Sequence, residues 1–330
     1  MSITDARSEG VRSLSLSKGK PDDLPPGETA TQPRRFRRPS RVRQGLTGYA
    51  MLAPSMIGIL GFLLAPVLIV IIVSLFDWKL LGTPKFVGLK NYAELLGDAD
   101  VGHSLLVTIL YVLICVPGTT ILSLLLATLV NRKLKGMKYF RALLVIPWMA
   151  APVALGLVWG WIFDPARGAI NAFLALFGLE GPAWLATPEL ALPAVAAVHV
   201  WQFAGYNMLF FLAGLQNIPE SLREASALDG ASAVRHFFTI TLPLLRPTLL
   251  FVLITNVIGS FQAFDTIYVM TEGGPGDSTE VITYHIYREA FLKFDFGYAS
   301  TVSVALFLII LAVSLAQFAY FERRTTYDVS

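Results

Sequence analysis

Gly19-Lys20 is the one Gly-Lys pair in the chain, and Pro21 follows it where a phosphate-cradling loop needs Ser or Thr. The chain therefore holds no nucleotide by that route. The histidines, His103, His199, His236 and His285, fall in separate regions, and no two stand four apart on a helix face, so no His-x-x-x-His metal pair forms. Ser232 follows Gly230-Ala231, but Val234 replaces the second Gly of a nucleophile elbow. Cys115 is the single cysteine, which excludes an intramolecular disulfide and a Cys-rich metal site. What remains is neutral hydrogen-bonding chemistry inside apolar runs. Trp201, Gln202, Tyr206 and Asn207 share one run; Asn256, Ser260, Gln262 and Asp265 share another. Asn256, Ser260 and Ala263 form one helical stripe. Asp265 is the single acid in such a run, so an intramembrane carboxylate pair is excluded. Polar groups at that depth are costly in lipid and point to function, although Asn, Ser and Gln also bond neighbouring helices.

The elements that carry these residues can be read from composition. Of 330 residues, 55% are hydrophobic and 15% charged, and the mean hydropathy is +0.61. A soluble domain carries about 25% charged residues. A transmembrane helix needs about 20 mostly apolar residues. Six stretches qualify: 49–76, 104–130, 142–163, 190–215, 249–270 and 299–321. All are apolar all round, unlike amphipathic helices in water, and the alternation of a membrane barrel is absent. The expected fold is all-α and polytopic with six transmembrane helices. Residues 1–48 form an expected disordered basic arm, 49–321 the membrane domain and 322–330 a tail.

Charge sets the orientation. Counting the arm, alternate loops and tail together gives 20 of the 26 basic residues; the other loops hold Lys79, Lys85, Lys90, Arg167, Arg288 and Lys293. Lys and Arg mark cytoplasmic loops, so both termini are expected in the cytoplasm. Pro33 to Arg43 alone carries six arginines in eleven positions, which suffices as a topology signal and also suits an anionic inner leaflet. The arm is too long, and the apolar run after it too extended, for a cleaved signal peptide.

The loop 218–247 reads as a helix–turn–helix. Pro219 suits a first helical position, and Glu220 and Glu224 favour a helix N-terminus. Leu222, Ala225 and Leu228 share a face; Gly230 after Asp229 ends the helix, and Ser232 caps a second one bearing Val234, Phe237 and Phe238. Pro243 and Pro247 then redirect the chain. Resting on lipid would call for a stronger basic face. A knob offered to another protein fits better.

Glu224-Ala225-Ser226, Gly230 and Ile240-Thr241-Leu242-Pro243 resemble the EAA loop of inner-membrane permease subunits of ABC importers. Ser226 departs from the family's second Ala. Leu215-Gln216-Asn217-Ile218-Pro219, Phe264 to Met270 and Gly273-Gly274-Pro275-Gly276 are similar to the MalF/UgpA-type carbohydrate permeases, and the likeness covers nearly all of the chain from Tyr49 onward. The resemblance implies a type I importer permease fold and alternating access driven in trans. It implies two ATPase subunits that bind ATP-Mg, a second permease subunit, an extracytoplasmic solute-binding protein and an inner-membrane location. It implies no enzyme activity, no cofactor or metal in this chain and no nucleic-acid partner. Onto this sequence it places ATPase coupling at Glu224, Ala225, Ser226, Leu228, Asp229 and Gly230, and solute contact at Gln202, Phe203, Tyr206, Asn256 and Ser260.

Neutral donors and acceptors beside aromatic faces suit a sugar. The absence of Lys or Arg inside a span disfavours an anionic solute; the same type of permease for glycerol 3-phosphate or another polar solute is the alternative of the same class. A stand-alone channel or carrier is the competitor of another class; it lacks support because the halves show no internal repeat. Residues 279–294 suggest an amphipathic helix that rests Ile282, Ile286, Phe291 and Phe294 on the bundle.

Overall fold

The computed structural model describes residues 51–80, 82–132 and 134–322, with the side chains of 321 and 322 excepted. The expected disordered arm 1–48 and tail residues 323–330 lie outside the described residues. The chain divides into two units, Met1–Gly58 and Ile59–Ser330. Of the first, Met51–Gly58 is described as helix.

The elements track the apolar runs. Helix α1 is Met51–Val73, with a π-helical turn at Ile59–Leu64. A short hairpin, β1 Phe76–Asp77 and β2 Lys85–Phe86, pairs antiparallel with Phe76 opposite Phe86. Then come α2 Lys90–Gly97, α3 Ala99–Val130, α4 Met137–Met149, α5 Pro152–Ile162, α6 Ala169–Ala175 and α7 Pro188–Gln216. The loop region gives α8 Glu220–Leu228 and α9 Ala233–Leu244, which contains a π-helical turn at Phe237–Thr241. The chain ends with α10 Arg246–Phe261, α11 Asp265–Met270, α12 Ile282–Tyr287 with a π-helical continuation Arg288–Leu292, and α13 Phe296–Glu322.

Among the described residues four helices, α1, α3, α7 and α13, are long and apolar enough to span a membrane unbroken, and two bent pairs bring the number to six if each pair is one span. The third expected span is α4 and α5, which meet at 96°. Proline explains the break. Pro152 opens α5 and holds Ala151 extended at ψ 126°, which no helix continues through. Helix α9, which the sequence places in the loop, joins α10 with a bend of 71° at Leu245, with Pro243 and Pro247 on either side; the expected fifth span, 249–270, starts within α10. Its apolar run also stops short of Met270: α10 ends at Phe261, and α11 is a separate helix that packs on α5.

Helix α7 is the axle of the second unit, with 61% of its most apolar window buried, against 17% for α13. It packs along α3 and touches α4 and α10. Small residues permit these approaches. Gly118 on α3 admits Val200, and Gly205 on α7 meets the backbone of α4 at Leu144 and Val145. Tyr111, Cys115, Val195 and Ala196 form one core cluster between α3 and α7; Ala127, Met208, Phe211 and Val252 form another where α10 joins them.

Candidate functional site

Two sites are built on this frame. The first is the loop that stands off the bundle at one end. Helix α8 starts one residue later than the sequence suggests: Pro219 is its N-cap, extended at ψ 134°, rather than its first helical residue. Arg223 pairs with Glu220 at 3.0 Å on the exposed face. Two backbone bonds close the C-terminus, Gly230 N–H to Ala227 O at 3.1 Å and Ala231 N–H to Ser226 O at 3.0 Å. This is the paired pattern of a glycine-terminated helix, and Gly230 carries the φ of +74° that it requires. No atom lies within 4 Å of a Cβ built on Gly230, so backbone angle rather than room selects glycine. Ser232 Oγ accepts from Arg235 N–H at 3.3 Å and caps α9 as its sequence suggests.

Within α8, Ser226 is buried and the rest is exposed. Glu224 and Ala225 face outward, as do Asp229 and Gly230 beyond the helix, and Leu228 is 89% exposed. Leu228 is thus an apolar group left open to solvent among the described residues, and Leu222, 38% exposed, is partly so. A cavity of about 760 Å³ opens behind the helix, lined by Asn131, Arg132, Asn217, Arg223, His236 and Thr241 among others.

The second site lies between α3, α7 and α10. Gln202 is 3% exposed and Asn207 2%. Asn207 Nδ2 donates to Asn256 Oδ1 at 2.8 Å, and Asn256 Nδ2 reaches Thr120 Oγ1 at 3.5 Å. Asn256 is therefore engaged in a bridge across three helices. Ser260 Oγ is buried and finds no partner among the described residues, which leaves its hydroxyl free for a ligand or a water. Phe203 stacks on His199 at 4.5 Å, and Tyr206 stacks on Trp148 at 4.1 Å with the rings 10° from parallel. Trp148, from α4, is a residue that sequence patterning does not single out. Its place on the break-bearing third span keeps it out of a set drawn from the fourth and fifth. The structure brings Asn256 to α7 through Asn207, and it records no hydrogen bond from Gln202 to Asn256 or Ser260.

The segment before α13 departs from expectation. Ile282 is buried and Ile286 half-buried, but Phe291 is 59% and Phe294 47% exposed. Polar residues take the interior instead. Glu280 Oε1 bonds His285 Nδ1 at 2.8 Å, and Glu280 Oε2 accepts from Arg288 at 2.7 Å. Lys293 reaches Glu289 at 2.5 Å, and Ser104 of α3 approaches Glu280 at 3.4 Å. Burial works to raise the Glu280 carboxyl, but the His285 hydrogen bond and the Arg288 charge outweigh it and hold it below its ordinary value. The i,i+3 and i,i+4 spacing of His285, Arg288, Glu289 and Lys293 was the available signal for this network.

Residues 100–327 match the family described as binding-protein-dependent transport system inner membrane component. The sn-glycerol-3-phosphate transport system permease protein UgpA of Agrobacterium fabrum is 37% identical over 244 residues, 74% of this chain and 83% of its own. The trehalose/maltose transport system permease protein MalF of Thermococcus litoralis is 35% identical over 276 residues, 83% of this chain and 93% of its own. A chain of the bacterial alginate ABC transporter, solved with an alginate-loaded periplasmic protein, superposes with a TM-score of 0.76 at 21% identity, covering 86% of this chain and 97% of that one. At that identity the likeness is one of fold.

Proposed function

This chain belongs to the family of binding-protein-dependent transport system inner membrane components, and from that premise we propose that it forms half of the path by which a sugar or oligosaccharide is imported. It is a permease subunit of an ABC importer. In our reading a second permease chain supplies the other half, and two ATPase subunits bind ATP-Mg. A binding protein delivers solute on the far side of the inner membrane. Both termini lie in the cytoplasm, where most of the basic residues fall.

The observation that carries the reading is the exposed, glycine-terminated helix α8 with its open Leu228, in a chain without a phosphate loop. Its geometry suits insertion into a groove of the ATPase. Closure of the two ATPases then displaces α8, and α9 hands the motion to α10 and the polar groups beside it. Glu224 offers the ATPase a carboxylate, Ala225 permits close approach, and Leu228 fills an apolar socket.

For the solute, Gln202 and Ser260 supply neutral hydrogen-bonding groups, and Phe203, Tyr206 and Trp148 supply ring faces for the C–H surface of a sugar. Asn256 shapes the path through its bridge to Asn207. The likeness to UgpA favours sn-glycerol 3-phosphate as a second reading. Uptake of both solutes by the reconstituted complex separates the two. Replacing Gly230 by Trp tests coupling itself. Trp at a φ of +74° strains the end of α8 and sets a bulky ring on its exposed face, so the variant should lose ATP-driven uptake. Uptake at the native rate would refute the docking role.

A further inference from the structure

Helix α8 has no extended packing against any other element, and a cavity lies behind it. A helix held so loosely would swing on its two end connections when pulled, and the pull would be spent in the loop. One side chain works against this. Ser226 is the buried residue of α8, 6% exposed, and it stands where the EAA pattern has alanine. Its hydroxyl lies 3.0 Å from Arg223 O and shares a hydrogen bond of 2.7 Å with Nδ1 of His236. His236 ends the first turn of α9, and the π-helical turn Phe237–Thr241 begins at the next residue. From there the helix runs to Leu245, which is 1% exposed and anchors the bend into α10.

We propose that Ser226 and His236 are positioning residues for energy coupling: the hydrogen bond between them makes the coupling helix and the head of the fifth span a single lever. The proposal rests on the docking role assigned above to α8 and adds the means by which displacement leaves it. Methyl contact at position 226, as alanine would give, packs the two helices without fixing their angle. A hydrogen bond at 2.7 Å, with the donor direction set by the imidazole plane, fixes both distance and angle.

The test uses the assembled importer in proteoliposomes and reads solute moved per ATP hydrolysed, which simple loss of folded protein does not alter. Ser226→Ala and His236→Leu should each lower that ratio about five-fold, as loss of one net hydrogen bond allows. The double variant should be no worse than either single one. Ser226→Thr keeps the hydroxyl and His236→Asn keeps a donor at the Nδ1 position, so both should retain most of the native ratio. If Ser226→Ala prevents assembly, His236→Leu on the other side of the bond supplies the comparison. A native ratio in the disrupting variants, or losses that multiply in the double variant, overturns the proposal. An Ala227→Cys cross-link to the ATPase subunit separates it from the docking role. With the cross-link formed and the ratio native, the lever fails and docking stands. With no cross-link in the otherwise native complex, docking fails and the lever with it.

Discussion

Gly205 is the point at which one methyl group should cost the most. A Cβ there would overlap the Leu144 carbonyl oxygen, lie 2.5 Å from its carbonyl carbon and 3.1 Å from Val145 N, where ordinary contact begins at 3.4 Å. The obstacle is backbone, so no side-chain rotation relieves it, and α4 must move off α7 by about 1 Å. A gap of that size forfeits roughly a quarter to a half of each pairwise attraction; with about 40 atom pairs at about 0.15 kcal/mol each, the loss is about 1.5–3 kcal/mol. Alanine's better helix propensity returns about 1 kcal/mol. Gly205→Ala should therefore destabilise by about 0.5–2 kcal/mol, and Gly205→Leu by more than about 3 kcal/mol. Function should suffer as well, because the Trp148–Tyr206 stack joins the same two helices beside Gly205. Cys115 is a built-in reporter: it is the single cysteine, fully buried on α3 against Ala196 of α7. The thermal midpoint of its labelling in the assembled importer, read by mass on the Cys115 peptide, should fall by about 2–4 °C per kcal/mol. Uptake should fall alongside. Native midpoint and uptake in both variants would show that α4 and α7 do not meet at this glycine.

The same geometry sets other expectations. Leucine at Asn207, Asn256 or both should give a coupling energy of about 0.6–1.7 kcal/mol in a double-mutant cycle on thermal midpoints, the range for buried polar pairs between membrane helices. Ser260→Ala should leave the midpoint near native and raise KM for the solute about five-fold, since its hydroxyl has no partner among the described residues to lose. Because Glu280 titrates below its ordinary value in the fold, its contribution is fully present above the unfolded value and is lost as pH falls through the folded one. Amide-exchange protection factors over 280–293, corrected for the intrinsic pH dependence of exchange, should therefore fall on acidification, and Glu280→Gln should flatten that dependence. Arg288→Met, which leaves Glu280 buried and short of its cation, should destabilise by about 3 kcal/mol at neutral pH in thermal unfolding of the complex.

Much of this was legible along the chain. Apolar runs announced the spanning segments because lipid demands about 20 apolar residues per helix whatever they pack against. The turn at Gly230 and the cap at Ser232 were legible too, because helix termini are satisfied by residues only a few positions away. Pro243 and Pro247 marked the bend at Leu245, whereas 142–163 reads as one span in the sequence and the break at Ala151 was missed; neither angle, 96° or 71°, was legible, because each depends on what the two halves pack against. The set around Gln202 and Asn256 was partly legible. That Asn256 faces Asn207 and that Ser260 stands without a partner among the described residues depend on the register between α7 and α10. The expectation for residues 279–294 was overturned for the same reason: apolar spacing favoured Phe291 and Phe294, while pairing among Glu280, His285 and Arg288 turned the charged face inward.

By itself, then, the sequence determined the features set by near neighbours in the chain and by the solvent: helical runs, caps, prolines, the charge bias and the helix–turn–helix loop. Tertiary structure alone decided the features that depend on helices meeting: the closeness of Gly205 to α4, the asparagine bridge, the buried ion network and the tie between Ser226 and His236. The physical reason is range. Backbone hydrogen bonding and transfer into lipid act on a residue and its nearest neighbours. Packing and buried charge pairing act between residues that only the complete fold brings within a few ångströms.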